Sequence, residues 1–416
     1  MFRSSFRARA ALVVAAVVAL AACGSGDDDT SSTSPVATAT PTAAPVDSTA
    51  PSVDSTSPST DASADSSTEE TTAGSGPADQ VAAARARYEQ ALLEPTGFVG
   101  REVLSSVPEP GKQLIFLRCS LPVCGIIAEA FGNAASVLDW DTSVIDFSST
   151  DPESVIAAFN QAIDQGPDGI AITGLPISAF EEPLERARQA GIPVTIGAVA
   201  GVEVGGMDGN GVIGLSSGVN TVVTAANMVG DYMIAESDGT ANIAVFTVED
   251  FPIIKAETEG LVQHITENCD GCKVKVINQA VGDIGTVVPG AVVSAVQSDP
   301  TIDYVYFAFG DLSRGVGPAL ADARYEGEIV GYGPITESYQ KLIDGEEAAW
   351  SGASNRATGW DLIDTLARYF VGDPLSNDDL QLLQLFTSAS PPPNENPGIP
   401  SNFEELYPIL WGLEEE

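Results

Sequence analysis

From residue 113 to residue 332 the chain repeats one unit, a short apolar run followed by a segment with small and apolar residues at helical spacing. Residues 113–118 (QLIFLR) read as a buried strand and 128–138 as a helix, followed by a strand at 143–147. Asp151, Pro152 and Glu153 open a helix to about residue 165, with Asp151 as a good cap and Pro152 at a tolerated position. A strand at 169–173, a helix at 178–190 ended by Gly191 and a strand at 193–197 complete one series. A second series has helices at 220–235, 253–267, 290–297 and 317–324, and strands at 241–248, 273–278, 304–309 and 329–332. Strands joined through helices pair in parallel with right-handed crossovers, so the fold class is α/β with doubly wound parallel sheets. Roughly 340 residues follow the N-terminal region, more than one core usually supports, so two lobes with a ligand cleft between them are expected.

The chain begins differently. Arg3, Arg7 and Arg9 precede an apolar run from residue 10 to residue 22, too short to span a bilayer and ending in small residues. Leu20, Ala21 and Ala22 followed by Cys23 resemble a bacterial lipobox, which implies a signal peptide over 1–22 and lipidation of Cys23. Residues 24–77 are mostly Ser, Thr, Ala, Pro and Asp, with no Lys, Arg, Phe, Tyr, Trp, Leu or Ile. Such a segment buries too little apolar surface to offset its conformational entropy and reads as a solvated linker over 23–77. A helix and lead-in are expected over 78–111.

Charge and side-chain inventory remove several function classes. The 58 acidic against 18 basic residues give a formal charge of −40, which repels phosphate backbones and argues against nucleic-acid binding. Beyond Cys23 there remain Cys119, Cys124, Cys269 and Cys272, whose spacings favour the pairs Cys119–Cys124 and Cys269–Cys272 as disulfides in an exported protein. A four-cysteine zinc site is the rival reading, disfavoured by unequal spacing and by the distance between pairs, so no metal is expected. His264 is the only histidine, placed between Leu261 and Ile265, so Ser-His-Asp and Cys-His catalysis would both depend on a residue on a helix face. Gly197, Gly201, Gly205 and Gly206 do not form a dinucleotide fingerprint, and no cofactor is implied. An enzyme remains only a remote alternative.

The rhythm, the run 169–175 (GIAITGL), the stretch 190–194 (AGIPV), the segment 307–311 (FAFGD) and the ending Leu410, Trp411, Gly412 resemble type I periplasmic binding proteins of the ribose-binding class. The resemblance implies two lobes joined by three crossovers, near Leu215, Trp350 and Asp373. It divides the chain into an N-lobe of 112–215 with 351–372 and a C-lobe of 216–350 with 373–416. Together with the lipobox it implies a membrane-tethered, extracytoplasmic, monomeric receptor that hands a small solute to an ABC permease. A sensor lipoprotein partnering a membrane kinase or chemoreceptor is the alternative, because it would use the same lobe closure.

Departures from the sugar-binding pattern shape the expected ligand. Leu121 stands where ribose-type members carry asparagine, Thr173 replaces another asparagine, Ala198 and Val199 replace Asp-Arg, and Glu257 replaces an arginine. Gly310 and Gly333 stand for an asparagine and an aspartate. Since a buried polar group without a partner costs ~1–3 kcal/mol, so many lost anchors do not suit a pentose. The expected ligand is sugar-like, a polyol, or another neutral or cationic solute with an apolar face. Candidate contacts are Ser120, Leu121, Thr173, Ser216, Phe246, Glu249, Asp250, Glu257, Asp283, Asp311 and Trp350. Blander roles stay open: a solvated helix face for Glu257, helix caps for Asp250 and Asp311, packing for Trp350 and Trp360.

Overall fold

A computed structural model describes residues 76–98, 101–375 and 381–413. The signal segment, Cys23 and nearly all of the linker lie outside the described residues. Pro77 starts the first helix, α1 (Pro77–Ala91), and the Asp79 carboxylate accepts from the Gly76 amide to close its first turn. The apolar run that follows is β1 (Gln113–Arg118), with four consecutive buried residues, and α2 (Pro122–Val137) begins directly after it with proline in its first turn. Next come the edge strand β2 (Asp141–Asp146), α3 (Pro152–Gln165) and the wholly buried β3 (Gly169–Thr173). Asp151 caps α3 as its sequence position suggests, accepting from the Glu153 amide at 3.1 Å. After α4 (Glu181–Gln189), β4 (Val194–Gly197) and β5 (Val212–Ser216) finish a five-stranded sheet in the order β2-β1-β3-β4-β5, parallel throughout.

The chain then enters a second lobe at α5 (Val219–Glu236), followed by β6 (Asn242–Thr247), α6 (Pro252–Asn268), β7 (Lys273–Asn278) and α7 (Val288–Ser298). It continues through β8 (Tyr304–Phe307), α8 (Val316–Asp322), β9 (Glu328–Tyr332), α9 (Thr336–Asp344) and β10 (Ala349–Gly352). Helix α10 (Asn355–Val371) returns to the first lobe, where Leu362, Ile363 and Leu366 join the core built from Phe116, Ile127 and Phe131. Strand β11 (Gln384–Thr387) crosses back and adds an antiparallel edge to the second sheet, β11-β10-β9-β8-β6-β7, otherwise parallel. The passages after Ser216, after Gly352 and beyond Asp373 are the three expected crossovers. Each lobe buries its sheet between helices, as parallel sheets require.

One passage, at the C-terminal end, corrects the expected division, and the N-terminal helix and lead-in, assigned to neither lobe, find their places. Helix α1 lies on the C-lobe: Ala84 enters its core, Arg87 pairs with Asp231, and Tyr88 meets Tyr232 edge to face at 5.8 Å. The lead-in then reaches the N-lobe, where the Leu104 amide donates to the Leu410 carbonyl at 2.8 Å. That carbonyl belongs to α11 (Phe403–Leu410), whose Phe403, Tyr407 and Leu410 pack in the N-lobe core with Trp411 and Trp360. The segment after β11 was expected in the C-lobe, as part of 373–416, but its aromatic residues have their partners on α10.

Candidate functional site

Parallel α/β lobes present their loops at the carboxyl ends of the strands, where ligands of open sheets bind. In this chain those loops converge on one cleft. From the N-lobe come Leu121 and the Cys119–Cys124 turn after β1, Thr173 to Leu175 after β3, and Ala198 after β4. The C-lobe supplies Phe251, Ile253 and Ile254 at the start of α6, Phe309 and Asp311 after β8, and Tyr332 and Gly333 after β9. Ser217, Asn355 and Thr358 close it at the passages between lobes. The space counted out to its open mouth, open solvent included, is about 830 Å³.

Local chemistry explains each position. Leu121 caps α2 from an extended conformation and Pro122 begins the helix, so the apolar side chain is held at the cleft edge. The sulfur atoms of Cys119 and Cys124 are 2.04 Å apart, and those of Cys269 and Cys272 are 1.99 Å apart at the far end of α6. Strand β8 ends at Phe307, two residues before the expected end, because Gly310–Ser313 form a tight helical turn that carries Asp311 into the cleft. Gly310 fits there because a Cβ would lie 2.7 Å from the Gly333 carbonyl oxygen and 2.8 Å from the Ile335 nitrogen. The two glycines meet backbone to backbone through a Gly310 N–H to Gly333 carbonyl bond of 3.0 Å. An asparagine at 310 has no room in this arrangement, so the departure from the sugar-binding pattern is built into the packing.

Of the expected contacts, Leu121, Thr173 and Asp311 line the cleft. Ser120 stands just outside, exposed, with its hydroxyl shared with Ser149, which does line it. The other expected contacts do not line the cleft. Ser216 is buried and accepts from Gln381 at 2.7 Å, and Phe246 is enclosed in the C-lobe core against Phe307. Glu249 and Asp250 are exposed beyond β6, and Asp283 sits half-exposed in a turn after β7. Glu257 faces inward on α6, not toward solvent or the cleft, and takes hydrogen bonds from Tyr306 and Thr258. Burial pushes its carboxyl up to about 8, against the pull of those two donors. Trp350 is fully buried in β10, its indole donating to Glu347 at 2.6 Å, so its role here is packing. Phe309 and Tyr332 were legible as strand-end positions, whereas Ser217, Asn355 and Thr358 reach the cleft only through the topology.

Asp311 dominates the electrostatics. It is fully buried and neither carboxylate oxygen has a hydrogen-bond partner among the described residues. Desolvation lifts its carboxyl to about 6, while the exposed Arg314 guanidinium pulls the other way. Burial also raises the Tyr332 phenol, opposed by its bond to Ser217.

Two parallel-sheet lobes with a cleft at their strand ends define a bilobal solute-binding protein. A family model for the periplasmic binding protein domain matches residues 123–374, and the chain belongs to that family. This is a family of extracytoplasmic binding proteins rather than enzymes. Among solved structures, a periplasmic ribose ABC transporter protein from Conexibacter woesei is 17% identical with a TM-score of 0.57, covering 68% of this chain and 94% of that one. A 5-methylthioribose transporter solute binding protein from Thermotoga lettingae is 17% identical with a TM-score of 0.60, covering 68% and 89%. An ABC transporter solute binding protein from Agrobacterium vitis with bound allitol is 18% identical, TM-score 0.58, covering 67% and 96%. At these identities the likeness is one of fold. No curated protein matches the chain. No described helix is long and apolar enough to cross a membrane.

Proposed function

We propose that this protein captures a small solute between its lobes and delivers it to an ABC permease, as a monomer tethered outside the cytoplasm through a lipidated Cys23. The observation that carries the reading is the cleft: loops from both sheets supply its walls, so a ligand bridging them stabilises the closed form. The solved relatives named for ribose, 5-methylthioribose and allitol support a transport role and a small, polyol-sized solute. The ligand here is less densely hydroxylated than a pentose, because Leu121, Ala198, Phe251 and Phe309 face it. In this reading the signal covers 1–22 and the linker 23–77, and the two cysteine pairs are disulfides in the exported protein.

The test is a thermal-shift screen of the mature chain against sugars, polyols, amino acids, nucleosides and organic cations. A ligand bound only by the native state adds RT ln(1 + [L]/Kd), ~2.7 kcal/mol at about a hundredfold excess over Kd. A concentration-dependent rise for one class supports capture, and a flat response across all classes counts against it. Cell fractionation tests the tether: Cys23→Ser is expected to leave the membrane fraction, and full retention would sink the lipoprotein reading.

A further inference from the structure

Among the described residues that line the cleft Asp311 is the only carboxylate, and none is a lysine, arginine or histidine. Its neighbours in the wall are already occupied. Thr173 lies 3.8 Å from the Cys124 sulfur, and Ser149 shares a hydrogen bond with Ser120. Asn355 donates to the Pro334 carbonyl at 3.1 Å, Thr358 bonds to the Ser354 carbonyl, and Tyr332 is paired with Ser217. Asp311 alone among them keeps two buried acceptor oxygens with no donor. A buried carboxylate in apolar surroundings is costly unless a cation or several hydrogen-bond donors meet it.

A polyol would satisfy those oxygens with two hydroxyls and leave its others facing a wall of Leu121, Phe251, Ile254 and Phe309. A protonated amine resolves the same problem with one polar end. Its N–H groups form charge-assisted bonds to both oxygens, and an apolar body covers the rest. Phe251 and Phe309 stand edge to face, 6.3 Å apart, and offer that body an aromatic corner. We propose that the cleft takes an organic cation bearing N–H donors, a protonated amine or amidine whose charged end meets Asp311 and whose apolar body packs against Phe251, Phe309 and Leu121. This rests on the solute-capture reading and names the chemistry of its ligand.

Calorimetric titration of the mature chain in physiological salt, where diffuse attraction to this acidic protein is screened, decides between the classes. The probes are phenethylamine, its neutral isostere 2-phenylethanol, phenyltrimethylammonium, which lacks N–H donors, and ribose, glucose and allitol. Phenethylamine is expected to bind tightest, and Asp311→Asn to weaken it at least about tenfold and 2-phenylethanol by much less. The amine-over-alcohol preference in the unsubstituted protein tests the proposal even if the variant folds poorly. Equal binding of amine and alcohol, or a preference that survives Asp311→Asn, overturns the cation assignment. If a sugar or polyol binds and the amine does not, the cation assignment falls while solute capture stands.

Discussion

Glu257 shows how one residue can mislead when only its spacing is visible. On α6 it sits where an acidic residue could face solvent, yet the helix turns it into the C-lobe, where Tyr306 and Thr258 donate to it and no cationic side chain among the described residues pairs with it. Desolvation raises its carboxyl to about 8 from an ordinary value of 4.5, with the Tyr306 and Thr258 hydroxyls pulling the other way. Between those values the folded protein binds a proton that the unfolded chain has released. Stability therefore falls as pH rises from about 4.5 through about 8, and the loss is complete above the folded value. Glu257→Gln keeps the shape and removes the titration. Denaturant midpoints measured at pH 5 and pH 9 are expected to diverge, with the variant gaining on the parent at the higher pH. Parallel curves would show that Glu257 ionises freely in the folded protein.

At the scale of elements, the turn between β1 and α2 joins fold to cleft. Cys119 and Cys124 bring their Cα atoms within 5.6 Å, and between them Leu121 caps α2 in an extended conformation. A bridge across so short a loop removes little unfolded-state freedom, ~2 kcal/mol. Replacing both cysteines by serine should lower stability by about that amount and loosen the cleft edge at Leu121, weakening ligand binding as well. Non-reducing peptide mapping checks the pairing, and free thiols or cross-pairs would overturn it. Elements with strong patterning were readable beforehand: the strands at 169–173 and 273–278 are found at those bounds as β3 and β7. Strands β5, β10 and β11 were not, for physical reasons. Gly214 interrupts the apolar run of β5 because a Cβ there would lie 2.3 Å from a methyl group of Thr365, and buried polar residues, Ser351 in β10 and Gln384 and Thr387 in β11, break the apolar runs of the other two. The site was legible only in part for the same kind of reason. Thr173 ends β3, and Leu121 and Asp311 lie just beyond the ends of β1 and β8, so all three reach the cleft, while Phe246 and Trp350 lie within strands and are buried in the core. Residues such as Asn355 and Thr358 depend on which lobe α10 joins, which no local pattern encodes.

At the scale of the molecule, the last described segment decides how independent the lobes are. After β11 the chain returns to the N-lobe and lays α11 across α10, with Trp411 stacked on Trp360 at 5.7 Å and only 8° from parallel. The Trp411 indole donates at 3.0 Å to Asp364, whose carboxylate also receives Arg101 from the lead-in and Arg368 from α10. One aromatic residue therefore covers the N-lobe core and completes a polar cluster that ties the lead-in and the end of α11 to α10. None of its packing partners among the described residues lies in the C-lobe core. Trp411→Ala removes a fully buried ring and should cost ~3–5 kcal/mol. The loss should also be localised. Hydrogen exchange is expected to speed up in α2 and α10, which share the core with Trp411, while β6 and β8 keep their protection. Uniform acceleration across both sheets would mean that the lobes unfold as one unit. Unchanged exchange in α10 would mean that the tail rests on the N-lobe without holding it.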